Sequence, residues 1–104
     1  MKHFRTKRNY HDADIIRYNW HNDDLILEVN QRYKPVWSSE IQFLGVKNKD
    51  EINQNLFEKV NSSVFSQKVI ANIVRMGKSE KQEFIIDTTP GPSLRIICNG
   101  ILEI

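Results

Sequence analysis

The chain has 104 residues, 39% of them hydrophobic and 27% charged. That length and mixture fit one folded domain and argue against a disordered chain. The single cysteine, Cys98, excludes a disulfide framework and a cysteine-based zinc site within one chain, and no apolar run approaches the length that spans a bilayer.

Residues 1–104 read as a single β-rich domain. Met1 to Arg8 is basic, but no apolar segment follows it as a secretory signal would require, so a cytoplasmic protein is expected. Residues 1–10 have no clear period and read as a basic arm, or as an edge strand around Phe4 that lysine and arginine protect from aggregation. Over residues 13–20, Ile16, Tyr18 and Trp20 alternate with Arg17 and Asn19, with Ile15 out of phase, which predicts a strand. His21-Asn22-Asp23-Asp24 is a turn, because Asn and Asp accept positive φ and bond their own backbone. Leu25, Leu27 and Val29 then share one face of a second strand.

Gln31 to Pro35 is the next turn, since proline lacks an N–H for a ladder. Trp37, Ile41 and Phe43 share a phase through Ser39, giving a third strand over 36–44, with Gly45 as its end or a bulge. Short loops make this an antiparallel meander. Over residues 48–60 the period changes to that of a helix. Asn48 or Asp50 can cap it, and Ile52, Leu56 and Val60 form its apolar stripe.

Residues 64–76 fit either a helix face or a β-branched strand. A strand over 68–76 is preferred, because Gly77 to Lys81 is a turn and Glu83 to Asp87 a natural antiparallel partner. Thr88 to Ser93 is a loop. Leu94, Ile96 and Cys98 line the last strand, and Asn99-Gly100 is either a tight hairpin or, preferably, a bulge in one long terminal strand. The expected fold class is therefore α+β and β-rich: an antiparallel sheet or small β-sandwich of about six to seven strands with one short helix.

Charge is segregated along the chain although its sum is only +2. Lys2, Arg5, Lys7 and Arg8 are basic. Asp12, Asp14, Asp23, Asp24 and Glu28 follow with only Arg17 opposed, and Arg32, Lys34, Lys47 and Lys49 are basic again. No catalytic constellation emerges from these residues, and no cofactor or metal is expected. His11-Asp12 resembles a base with its orienting carboxylate, but neighbours in a strand face opposite ways. A metal site at His11, Asp12 or Asp14, or a small enzyme using His11 and Asp14, is the weaker reading. Asp23-Asp24 sits in a solvated turn, no Gly-rich phosphate loop exists, and no serine has a nucleophile-elbow context.

Two binding readings remain. Tyr10, Tyr18, Trp20, Tyr33 and Trp37 beside a basic arm suit a nucleic-acid-binding β module, although Tyr18, Trp20 and Trp37 share their phase with core residues. Acidic and aromatic side chains on a β scaffold equally suit a charge-complementary protein interface.

The box His11-Asp12-Ala13-Asp14-Ile15, the alternating strand after it, Asn22-Asp23-Asp24 and Leu25-Ile26-Leu27-Glu28-Val29 resemble the opening of a group of small bacterial β-rich immunity proteins. These accompany polymorphic or contact-dependent growth inhibition toxins. Ile41 to Val46 and Leu94 to Cys98 fit the later part of the same pattern, whereas the basic arm and slight positive charge depart from it. The resemblance implies a non-enzymatic inhibitor that binds one cognate toxin domain, a nuclease for example, and covers its active site. Asp12, Asp14, Asp23, Asp24 and Glu28 would then stand in for phosphate, with Tyr33 and Trp37 as apolar anchors.

Overall fold

The computed structural model describes residues 6–62, 69–80 and 82–104. Seven strands and one helix run in the order β1 (Asp14–His21), β2 (Asp24–Gln31), β3 (Trp37–Leu44), α1 (Lys49–Ser62), β4 (Ala71–Glu80), β5 (Glu83–Thr89), β6 (Leu94–Ile97) and β7 (Gly100–Glu103). All pairings are antiparallel, in one sheet of order β6-β5-β4-β1-β2-β3-β7. The fold is thus β-rich α+β with a single sheet rather than a sandwich. No helix among the described residues is long and apolar enough to cross a membrane.

The two edge strands, β6 and β7, are neighbours in the chain. Only Cys98 and Asn99 separate them, so their ends lie within about 11 Å at 3.8 Å per Cα step. The sheet must therefore curl into a partly closed barrel. Backbone bonds from Asn99 N to Leu44 O and from Lys47 N to Ile97 O, both 2.8 Å, stitch this corner. Asn99-Gly100 is consequently neither a hairpin nor a bulge within one paired strand. The chain leaves β5 as its partner and takes up β3 on the far edge. Gly45 sits beneath it at φ +62, where a Cβ would lie 2.4 Å from Asn99 Nδ2. Only glycine fits, and β3 ends there.

Alternation along the strands sends one face of the sheet inward. Leu25, Leu27 and Val29 of β2, Ile41 and Phe43 of β3 and Ile86, Leu94 and Ile96 of β5 and β6 are fully buried in one cluster, joined by Ile52 and Leu56 from α1. Cys98 is buried in the same cluster, and burial pushes its thiol pKa up. The out-of-phase Ile15 has a structural cause. The β1–β2 register shifts between Ile15 and Arg17, so Ile15 faces inward opposite Val29 while Tyr18 and Trp20 face inward opposite Leu27 and Leu25. Ile16 is the extra residue of a bulge and does not share the phase of Tyr18 and Trp20.

The helix carries another difference. The apolar spacing predicts Ile52, Leu56 and Val60 as its inner stripe, yet Val60 is exposed and Lys59 is buried, at 1% exposure. Its ammonium donates to Asn55 Oδ1 at 2.6 Å and to the Pro92 carbonyl. β5 extends through Thr88 and Thr89, so the loop is Pro90 to Ser93; it supplies that carbonyl, and Asn55 Nδ2 reaches Ser93 O at 3.1 Å from the same helix. Burial lowers the Lys59 pKa, against the opposing effect of the Glu58 charge. Of the two candidate caps, Asp50 lies inside the helix, and Asn48 precedes it but spends its side chain on the β6 edge, accepting from Ile97 N and donating to Arg95 O, both 2.9 Å.

β4 starts later than expected and runs through Gly77 and Lys78, which pair with Ile85 and Phe84 instead of turning. The basic residues Lys2 and Arg5, the strand suggested around Phe4, and residues 64–68 lie outside the described residues. Of the arm, residues 6–10 form no strand.

Candidate functional site

β1 carries the chain from one end of the curled sheet to the other, roughly 25 Å at 3.3 Å per residue. The seven residues expected to meet a partner divide accordingly. Asp12, Asp14, Tyr33 and Trp37 lie at the end where β1 begins. Asp23 and Asp24 lie at the turn end, and Glu28 sits between them on β2. They do not form one rim.

Most of the carboxylates are occupied. Asp14 is buried; its Oδ1 accepts from Asn72 Nδ2 at 3.0 Å and its Oδ2 lies 3.4 Å from Arg32 Nε. Asp24 Oδ1 accepts from the Gly45 N–H at 2.9 Å and so holds the end of β3 against the hairpin turn. Glu28 lies 3.1 Å from Arg17 and directly opposite Glu40 of β3. Asp23 is exposed, and its carbonyl accepts from Val46 N at 2.8 Å. These contacts pin loops and strands of the chain itself.

His11 and Asp12 do not lie in a strand, as the alternation argument assumes. They form a turn before β1, with Asp12 at φ +64. The turn brings the two side chains together, His11 Nε2 to Asp12 Oδ2 at 3.4 Å, while His11 Nδ1 meets the Val74 carbonyl at 2.6 Å. A carbonyl only accepts, so Nδ1 carries a proton. The imidazole is thereby held against β4.

This turn is one wall of a groove of about 430 Å³. Lys7 and Arg8 form a second wall, and Tyr33, Lys34 and Trp37 from the β2–β3 connection form the third. Each part has a local reason for its position. Glu103 of β7 accepts the Lys7 backbone N–H at 3.0 and 3.1 Å, and the Tyr10 hydroxyl donates to its Oε2 at 2.7 Å. Tyr10 is buried and packs edge-on against Trp37, with ring centroids 5.3 Å apart. Burial, with the Glu103 hydrogen bond, pushes the Tyr10 phenol pKa up to about 12. Gln31 ties the two walls together: its Nε2 donates to His11 O and its Oε1 accepts from Tyr33 N, both at 3.1 Å.

The aromatic rings are paired with cations. The Arg8 guanidinium lies 5.1 Å from the Trp37 ring centroid, and that of Arg32 lies 5.5 Å from Tyr33. Tyr33 itself remains 57% exposed. No carboxylate among the described residues forms an ion pair with Lys7, Arg8 or Lys34. The groove therefore presents a positive, aromatic-backed surface, with Asp12 its one flanking carboxylate. Its walls come from residues 7–12 and 31–37, separate in sequence. The alternating signs of charge pointed to patches, but only the folded arm unites Arg8 with Lys34.

No group of three or more His, Cys, Asp or Glu side chains among the described residues is arranged to hold a metal ion. No family model matches the chain, and no curated protein or solved structure is significantly similar to it.

Proposed function

We propose that the chain is a binding protein that neutralises a cognate toxin domain in the cytoplasm of the producing cell, acting as an immunity protein without catalysis of its own. The groove beside β1 is the contact surface. The observation that carries this reading is the meeting of Tyr33 and Trp37, two anchors of the expected partner set, with the cations Lys7, Arg8 and Lys34. Aromatic and arginine side chains on a rigid support are the residue types that dominate protein interfaces. The sheet supplies the support, because Tyr10, Glu103 and Gln31 fix both walls from behind.

The test is co-expression with the C-terminal domain of a large secreted protein encoded beside this chain. Protection of the cells and a complex that survives a sizing column are expected. Continued killing with no complex would refute toxin neutralisation.

A second reading, a module for single-stranded nucleic acid, is favoured by the exposed Tyr33 ring between Arg32 and Lys34. It requires affinity that falls steeply with salt and with loss of Lys2, Arg5, Lys7 and Arg8. Absence of oligonucleotide binding at low salt would eliminate it.

A further inference from the structure

We infer that the groove recognises carboxylates on an acidic protein surface; this rests on the binding-protein reading and names the chemistry of the partner. Two of the three acidic residues around the groove are satisfied within the chain. Glu103 accepts from Lys7 N and Tyr10, and Asp14 is held by Arg32 and Asn72; Asp12 is the exception, exposed beside His11. Arg8 and Lys34 have no such counter-ion among the described residues. A guanidinium resting on an indole ring is weakly hydrated and keeps its planar edge of N–H donors for a carboxylate.

The same geometry disfavours nucleic acid in the groove. Stacked bases need successive bare aromatic faces, yet Trp37 carries Arg8 and packs against Tyr10, so Tyr33 alone offers the groove an open ring. Asp12 stands in the wall and repels a continuous run of phosphates, whereas a folded partner can place its carboxylates to avoid it. The consequence for neutralisation is specific. A nuclease gripped through this groove is held by an acidic part of its surface. Its electropositive phosphate site is then blocked by the bulk of the bound chain, not by carboxylates that imitate phosphate.

The test titrates the full chain with a labelled oligoglutamate peptide and with an oligothymidylate of equal charge, read by fluorescence anisotropy at low salt. Three variants remove the same charge: Arg8→Glu and Lys34→Glu in the groove, and Lys47→Glu, an exposed lysine near the opposite end of the sheet. Oligoglutamate should bind the unmodified chain, weaken by about tenfold or more with either groove variant, and change little with Lys47→Glu. Equal weakening by Lys47→Glu, tighter binding of oligothymidylate, or no binding of oligoglutamate would each overturn the inference. All three side chains are exposed, and thermal unfolding of each variant verifies that the fold is kept. Loss of toxin protection is scored separately. If the unmodified chain fails to protect while oligoglutamate binding follows the expected pattern, the carboxylate site stands and only the toxin reading falls.

Discussion

Lys59 and Lys34 have the same side chain in opposite circumstances. Lys59 is buried beneath the Pro90 to Ser93 loop, and its ammonium is hydrogen-bonded to oxygens of the helix and the loop. Lys34 is exposed on the β2–β3 connection and has no ion-pair partner among the described residues. The first cation has been drawn into the fold, where it joins α1 to a loop that has no ladder of its own. Its position in the last turn of the helix also places it near the negative end of the helix dipole. The second contributes nothing visible to the fold, and its charge is free for another molecule. Polar groups satisfied at home explain stability, and polar groups left unsatisfied at the surface mark where to look for function.

Substitution should separate the two sharply. Lys59→Ala leaves Pro92 O and Asn55 Oδ1 without their donor and opens a cavity, so unfolding in urea should show a loss of about 2–4 kcal/mol. Lys59→Met keeps most of the volume and should cost about 1–3 kcal/mol, the share due to the orphaned oxygens. A loss under about 0.5 kcal/mol for Lys59→Ala would show that the loop is held by other contacts.

The backing of the groove should respond next. Tyr10→Phe removes the donor to Glu103 and should cost about 1 kcal/mol at neutral pH. Because the folded state raises the Tyr10 pKa from 10.0 to about 12, it favours the neutral phenol. That contribution is complete below pH 10 and is lost as pH rises from 10 to about 12. The stability difference between the unmodified chain and Tyr10→Phe should therefore shrink across this interval in denaturant titrations; a constant difference would contradict the burial of the phenol.

Gly91 has φ +81 in the loop above Lys59, where a Cβ would lie 3.6 Å from the ammonium. There is room for a methyl group, so Gly91→Ala should cost only about 1 kcal/mol, from the left-handed backbone. A cost matching that of Lys59→Ala would mean that the loop had lost the ammonium as well. The smallest effect on stability belongs to the groove. Arg8→Ala and Lys34→Ala should each stay within about 0.5 kcal/mol of the unmodified chain.

The sequence showed the sheet more clearly than it showed the site. The β1–β2 hairpin, the third strand and the helix were legible because Leu25, Leu27 and Val29 alternate, Asn22-Asp23 suits a turn, and Ile52 and Leu56 repeat at helical spacing. The bulge at Ile16 showed only as an exception to alternation. Lys59 was hidden because its burial depends on oxygens from residue 92, which no local period reveals. The partners of β6 and β7 were hidden likewise: a four-residue strand does not announce which edge it will join. At the site, Tyr33 and Trp37 were legible as aromatic residues flanking the β2–β3 connection. The roles of Asp14, Asp24 and Glu28 were not, since each depends on a partner in another strand or loop. The charge runs located the acidic and basic residues correctly along the chain, but folding consumes much of the acid and leaves the base on display.

The most direct measurement is calorimetric titration of the chain with the proposed cognate toxin domain, comparing the unmodified protein with Lys34→Glu and Lys47→Glu. Binding through the groove requires the affinity to fall about tenfold or more for Lys34→Glu and to change little for Lys47→Glu. Equal affinities for all three proteins would contradict the groove as the contact surface.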